Sequence, residues 1–152
     1  MGDLPDHEWS EPRVAGFFKA HPERVPRTPS FVPQGWDEVV ADALVELLAV
    51  ERATGTETRV TQIKEKFGGL RIYVDVEEES AGPLEVVRET PASTFFRSSA
   101  TPGSVREKVH AIVDQAAGRA ELCCVRCGAP STRTDGYYRY CATHQRSRKS
   151  RA

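Results

Sequence analysis

Ile63-Lys64-Glu65-Lys66-Phe67-Gly68-Gly69-Leu70-Arg71-Ile72-Tyr73-Val74 is the stretch whose reading decides the fold. A glycine pair between two β-prone runs signals a hairpin, because a tight primed turn requires positive φ at its central residues. With Gly68-Gly69 as a two-residue turn, counting outward pairs Phe67 with Leu70, Glu65 with Ile72, Ile63 with Val74 and Thr61 with Val76. That side is apolar except for Glu65 and Thr61. The other side pairs Lys66 with Arg71, Lys64 with Tyr73 and Gln62 with Asp75. One ribbon then has a core face and a basic face that carries an aromatic ring. The rival reading makes Val60, Ile63 and Phe67 a helical stripe stopped by Gly68. The alternation of Leu70, Ile72, Val74 and Val76 calls for a partner strand and favours the hairpin. Glu65, a carboxylate on the core side, must then meet Arg, Lys or backbone donors or lie at an open edge.

Upstream, Trp36 to about Ala53 carries Trp36, Val39, Val40, Ala43, Leu44, Leu47 and Leu48 as one wide apolar stripe, the pattern of an amphipathic helix. Asp37 and Glu38 suit the positive end of its dipole, and Gly55 provides a stop. This helix is the expected cover for the apolar hairpin face. Before it, residues 1–35 hold six of the ten prolines, which limits regular structure there. A short helix with Val14, Phe17 and Phe18, capped by Ser10 and stopped by Pro22, fits within that segment. Beyond the ribbon, Leu84 to Glu89 reads as a further edge strand and Pro91 to Gly103 as a loop. Ser104-Val105-Arg106-Glu107 is a capping-box pattern. It opens a second main helix with Val105, Val109, Ile112, Val113, Ala116 and Ala120 on one face.

Near the C-terminus, Cys124-Val125-Arg126-Cys127-Gly128 and Cys141-Ala142-Thr143-His144 are two ligand pairs with the same spacing. Tetrahedral zinc takes four converging thiolate or imidazole ligands at about 2.0–2.3 Å. A Cys-x2-Cys turn provides two, and Gly128 suits the positive φ that completes a knuckle. Asp135-Gly136 is a second hairpin signal, returning Cys141 and His144 beside the first pair. The expected ligands are therefore Cys124, Cys127, Cys141 and His144, with Cys123 as the spare thiol or as part of a shifted Cys123/Cys127 pair. Four protein ligands leave no open position, so the expected Zn2+ is structural, in a treble-clef-like knuckle.

The fold class read from the chain is α+β: two main helices packed on an antiparallel hairpin, followed by the zinc knuckle. Residues 1–122 form the body, 123–144 the zinc module and 145–152 a basic tail. Residues 123–152 carry seven Lys/Arg against Asp135 alone, +6, which leaves −7 for residues 1–122 of a chain whose net charge is −1. Clustered cysteines fit a reducing cytoplasm better than a secreted disulfide framework, and no apolar run approaches a membrane span.

Phe17-Phe18-Lys19-Ala20-His21-Pro22, Gln34-Gly35-Trp36, the block Gln62 to Tyr73 and the two ligand pairs together resemble a group of uncharacterised small bacterial and prophage proteins. The resemblance covers roughly residues 17–76 and 105–144. It implies a shared helix–hairpin–helix–zinc arrangement and carries no activity with it.

For function, Lys64, Lys66, Arg71 and Tyr73 on the polar ribbon face are the candidate binding residues. Glu65 is separated from them by face, and the chain has no phosphate-binding glycine loop followed by Lys-Ser/Thr. The residues thus argue against an enzyme. The leading expectation is a protein-interaction role, such as neutralising a toxin or modulating a host protein. The alternative is a nucleic-acid accessory or regulatory protein that uses the same face and the basic tail.

Overall fold

Helix α2, Asp37–Thr54, forms where the apolar stripe predicts it and ends at Gly55, whose φ of 71° is the left-handed conformation of a helix stop. The computed structural model describes residues 12–30, 32–77 and 103–144. Within them lie α1 (Pro12–Ala20), two 3-10 turns (Pro22–Arg24 and Gln34–Trp36), α2, β1 (Thr58–Lys66), β2 (Gly69–Val76), α3 (Val105–Ala120), β3 (Arg133–Asp135) and β4 (Tyr138–Tyr140). The described residues are α+β, with three helices, an antiparallel hairpin and a second, short hairpin. Ser10, the strand expected at Leu84–Glu89, most of the loop expected from Pro91 and the tail 145–152 lie outside the described residues. No helix among the described residues is long and apolar enough to cross a membrane.

Helix α2 packs between α1 and α3, while α3 also lies against β2. The core between them contains Trp36, Val40, Leu44, Ile63, Leu70 and Ile72, with Phe18 from α1 and Ala116 and Ala120 from α3. Each large apolar side chain taken from water stabilises the fold by about 1.5–3 kcal/mol before entropy is subtracted. Helix α3 starts as its capping signal predicts. The Ser104 hydroxyl accepts from the Glu107 amide at 3.1 Å, and the Glu107 carboxylate accepts from the Gly103 amide.

Charged ties reinforce the helix contacts. Asp37 accepts from the Val14 amide at 3.0 Å and so caps α1 from the first turn of α2. Asp42 bridges Arg13 of α1 at 2.9 Å and Arg119 of α3 at 3.1 Å. Burial works to raise its pKa, but the two guanidinium groups outweigh it and hold the carboxyl below its ordinary value. Glu51 meets Arg24 and accepts from the Thr58 amide and hydroxyl, each at 3.2 Å. Here too burial raises the carboxyl, and the Arg24 and Thr58 hydrogen bonds bring it below its usual range.

The ribbon is a hairpin and not a helix, but its turn is one residue earlier than expected. Lys66 pairs with Gly69, so Phe67-Gly68 is the two-residue turn. Both have positive φ, 53° and 78°, as a type I′ turn requires. Moving the turn centre by one residue moves each partner by two. Glu65 therefore faces Leu70, Ile63 faces Ile72 and Lys64 faces Arg71. A two-residue shift preserves the faces, since side chains alternate with period two. Ile63, Leu70 and Ile72 consequently remain core. Phe67 does not: as a turn residue it is 68% exposed.

A second departure lies at Thr61. The register shifts between Val60 and Gln62, leaving Thr61 as a bulge whose hydroxyl donates to the Tyr73 carbonyl at 3.3 Å. Thr61 therefore does not face Val76. Beyond the bulge the faces exchange, so Val60 opposite Val74 and Thr58 opposite Val76 turn inward. Arg59 joins the polar side opposite Asp75, and Gln62 faces Tyr73 in place of Asp75.

Candidate metal centre and the hairpin surface beside it

A knuckle forms at Cys124–Gly128 because Gly128 adopts a φ of 80° and its amide reaches back to the Cys124 carbonyl at 2.9 Å. The Cys124 amide donates to Ala129 at 2.7 Å, and the Val125 amide donates to Arg139 of β4 at 2.9 Å. Strands β3 and β4 then carry the chain back so that Cys141 and His144 arrive beside the knuckle. Here too the turn differs by one residue from the sequence expectation. Asp135 pairs with Tyr138, so Gly136-Tyr137 occupies the turn, with positive φ on Gly136 alone.

The ligand atoms of Cys124, Cys127, Cys141 and His144 all lie within 4.8 Å of one another and form a possible metal site. Cys127 Sγ is 3.7 Å from Cys141 Sγ. His144 Nδ1 is 3.4 Å from Cys141 Sγ and 3.9 Å from Cys124 Sγ. A tetrahedron with metal–ligand bonds of about 2.0–2.3 Å has edges of roughly 3.3–3.8 Å, so one ion fits among these four atoms. Burial works to raise the Cys124 thiol. The backbone amides of Cys141, Arg126 and Cys127 outweigh it and lower its pKa to about 6, which favours the thiolate that a metal takes. The Cys127 thiol benefits from the Ala129 amide, yet burial and the neighbouring Cys141 and Cys124 push it above its ordinary value. Cys123 stands apart from the cluster: its thiol donates to the Arg119 carbonyl at 3.1 Å, and burial raises its pKa.

Two glycines dock this module on the body. The Gly35 amide donates to the Val125 carbonyl at 2.8 Å, and a Cβ on Gly35 would lie 1.8 Å from the Cys124 carbonyl oxygen. A Cβ on Gly68 would lie 1.8 Å from the Tyr137 carbonyl oxygen. Only glycine permits either approach, and Gly68 also needs its positive φ. The tips of the two hairpins therefore touch, with the Phe67 and Tyr137 rings 5.6 Å apart and edge to face.

Glu65 lies under this junction. Its carboxylate accepts from the Gly68 amide at 2.6 Å, so the donor expected for a core-side carboxylate is the turn itself. It also meets the Tyr138 hydroxyl. The negative charge of Glu65, together with burial and that hydrogen bond, pushes the Tyr138 pKa up.

Of the candidate binding residues, Lys64 sits with Nζ 5.2 Å from the Tyr73 ring centroid, and Arg71 is exposed opposite Lys64. Lys66 Nζ is 5.9 Å from the Phe67 ring centroid. The bulge adds Arg59, so the polar face of β1–β2 holds four cations (Arg59, Lys64, Lys66, Arg71) against Asp75. Sequence reading missed the aromatic pair Phe67 and Tyr137. Each adjoins a turn glycine, but a bulky ring in a left-handed turn position is uncommon, and the glycine pair drew the turn assignment to itself. No family model matches this chain, and no curated protein or solved structure matches it either.

Proposed function

We propose that Cys124, Cys127, Cys141 and His144 hold one structural Zn2+, and that the unit it closes is a binding module without catalytic chemistry of its own. Three thiolates and an imidazole are a donor set that suits zinc, and four protein ligands leave no position for water or substrate. The knuckle followed by a hairpin supports a treble-clef-like reading of residues 123–144. In this reading the zinc positions the β3–β4 tip, and its work is the surface made where that tip meets the β1–β2 turn.

The observation that carries the proposal is the exposed Phe67–Tyr137 pair beside a ribbon face with four cations and one acid. A solvated scaffold face has no need of two aromatic rings in water. Zinc analysis of protein purified without added metal tests the first half. One zinc per chain is expected, lost in Cys127→Ser and Cys141→Ser; native protein with free thiols and no zinc would overturn it. Capture of partners from the native host by wild type and by the Lys64→Glu, Lys66→Glu, Arg71→Glu variant tests the second half. Equal capture by both would remove this face as the working surface.

A further inference from the structure

Phe67 is the one non-glycine residue with positive φ among the described residues. Its φ is 53°, in a turn where Asn or Gly would be relaxed, and the residue is 68% exposed. Neither the backbone nor the core has use for a phenylalanine there. Across the junction, Tyr137 is 64% exposed in a turn position that any polar residue would fill. One ring adjoins a cation directly: Lys66 lies over Phe67, whose ring in turn meets Tyr137, while Lys64 and Arg71 follow along the ribbon face. Aliphatic neighbours that would make a dry protein-binding centre are missing from this face, where the β1–β2 residues are Arg59, Gln62, Lys64, Lys66, Arg71, Tyr73 and Asp75. The centre of a protein interface is depleted in lysine, whereas single-strand sites interleave aromatic rings with Lys and Arg.

We infer that the joined hairpin tips bind single-stranded nucleic acid, with bases stacked on Phe67 and Tyr137 and phosphates running along Lys66, Lys64 and Arg71. The inference rests on the binding-module reading and names its ligand. Lys64 and Lys66, two residues apart on one strand, stand about 6.7 Å apart along the ribbon, a repeat that suits one charge per nucleotide in an extended strand. Stacking is indifferent to base identity, so affinity follows strandedness and salt rather than sequence. Tyr73, under Lys64, holds that ammonium over the face.

The test is fluorescence anisotropy of labelled 12-residue oligo-dT and oligo-U against a 12-base-pair duplex, with zinc-loaded full-length protein at several salt concentrations. A fluorescent polyglutamate is the acidic-polypeptide probe. Single strands should bind more tightly than the duplex. Phe67→Asn with Tyr137→Ser should weaken them by roughly 5- to 150-fold per ring lost. Because Asn tolerates the left-handed turn, that variant should lose only the contact between the two rings and keep a cooperative melt well above the assay temperature, which separates lost stacking from lost folding. Lys64→Ala should reduce the slope of log affinity against log salt by about 0.7. Oligonucleotide affinity unchanged in the aromatic variant would overturn the inference, since the attraction would then come from charge elsewhere, such as the residues after His144. Preference for duplex would also overturn it. If polyglutamate binds in a Phe67- and Tyr137-dependent manner while oligonucleotides do not, the nucleic-acid assignment falls and the binding-module reading stands.

Discussion

The two hairpins solve the same problem by different physics. A two-stranded ribbon alone is marginal in water, so each must draw its stability from elsewhere. Strands β1 and β2, nine and eight residues long, place Ile63, Leu70 and Ile72 against α2 and α3 and depend on apolar burial. Strands β3 and β4 have three residues each and bury none of them. Their order depends on the knuckle, the Cys/His cluster and the docking of their tip on Gly68. The first hairpin can tolerate a change of ring at Phe67, and not a change at Gly68 or at its core-facing strand positions. The second can tolerate changes along its strands and not at its ends.

Removing the proposed zinc should separate the two most sharply. Structural zinc in small modules contributes an apparent ~10–16 kcal/mol near neutral pH. A chelator, or Cys141→Ser, should therefore abolish amide protection across residues 123–144 in hydrogen exchange while β1–β2 stays protected. Equal loss in both hairpins would mean that the body has no stability of its own.

Core truncation should do the converse. Ile63→Ala or Leu70→Ala should cost about 2–5 kcal/mol in denaturant unfolding, through lost transfer energy and the cavity left behind. Phe67→Ala should cost no more than about 1.5 kcal/mol, the scale of one aromatic contact. A large loss at Phe67 would contradict its place in the turn.

The junctions should respond to a single methyl group. Gly35→Ala forces a Cβ against the Cys124 carbonyl and should cost about 1–3 kcal/mol, read as a lower melting temperature with weaker zinc retention. Gly118→Ala is the control: an added Cβ there meets open space, and the helix should gain up to ~1 kcal/mol.

The smallest effect concerns acid. Glu51 and Asp42 both have pKa values lowered by arginine partners. A carboxylate depressed in the fold stabilises it fully above the ordinary carboxylate pKa, and that contribution is lost as pH falls through the lowered value. Glu51→Gln should therefore melt below wild type at neutral pH, and the gap should close in acid. These contacts lie in the body, so the gap should persist in chelated protein.

What the sequence disclosed was what local spacing determines. Helix α2, the capped start of α3, and the convergence of Cys124, Cys127, Cys141 and His144 with Cys123 apart were all legible, because periodicity and pair spacing act over a few residues. Both turns were read one residue away from their true places because tertiary contact selects among neighbouring options. Gly68 belongs at the second turn position since only there does its bare Cα meet Tyr137, while Glu65 secures its amide. The bulge at Thr61 and the seat at Gly35 answer to partners far along the chain, and nothing adjacent to them announces it.

The contact between Gly35 and Val125 joins positions 90 residues apart, whereas Cys124 and His144 are separated by 20. Closing a ring costs entropy that grows with its length, and short rings close sooner. The small ring around the metal can therefore form before the large one. Uptake of the proposed zinc should then have two phases: a capture whose rate follows metal concentration, and a seating on the Gly35–Trp36 segment whose rate does not. Between them the cysteines would already be occupied while that seat still faced water, and self-association should be greatest in that interval.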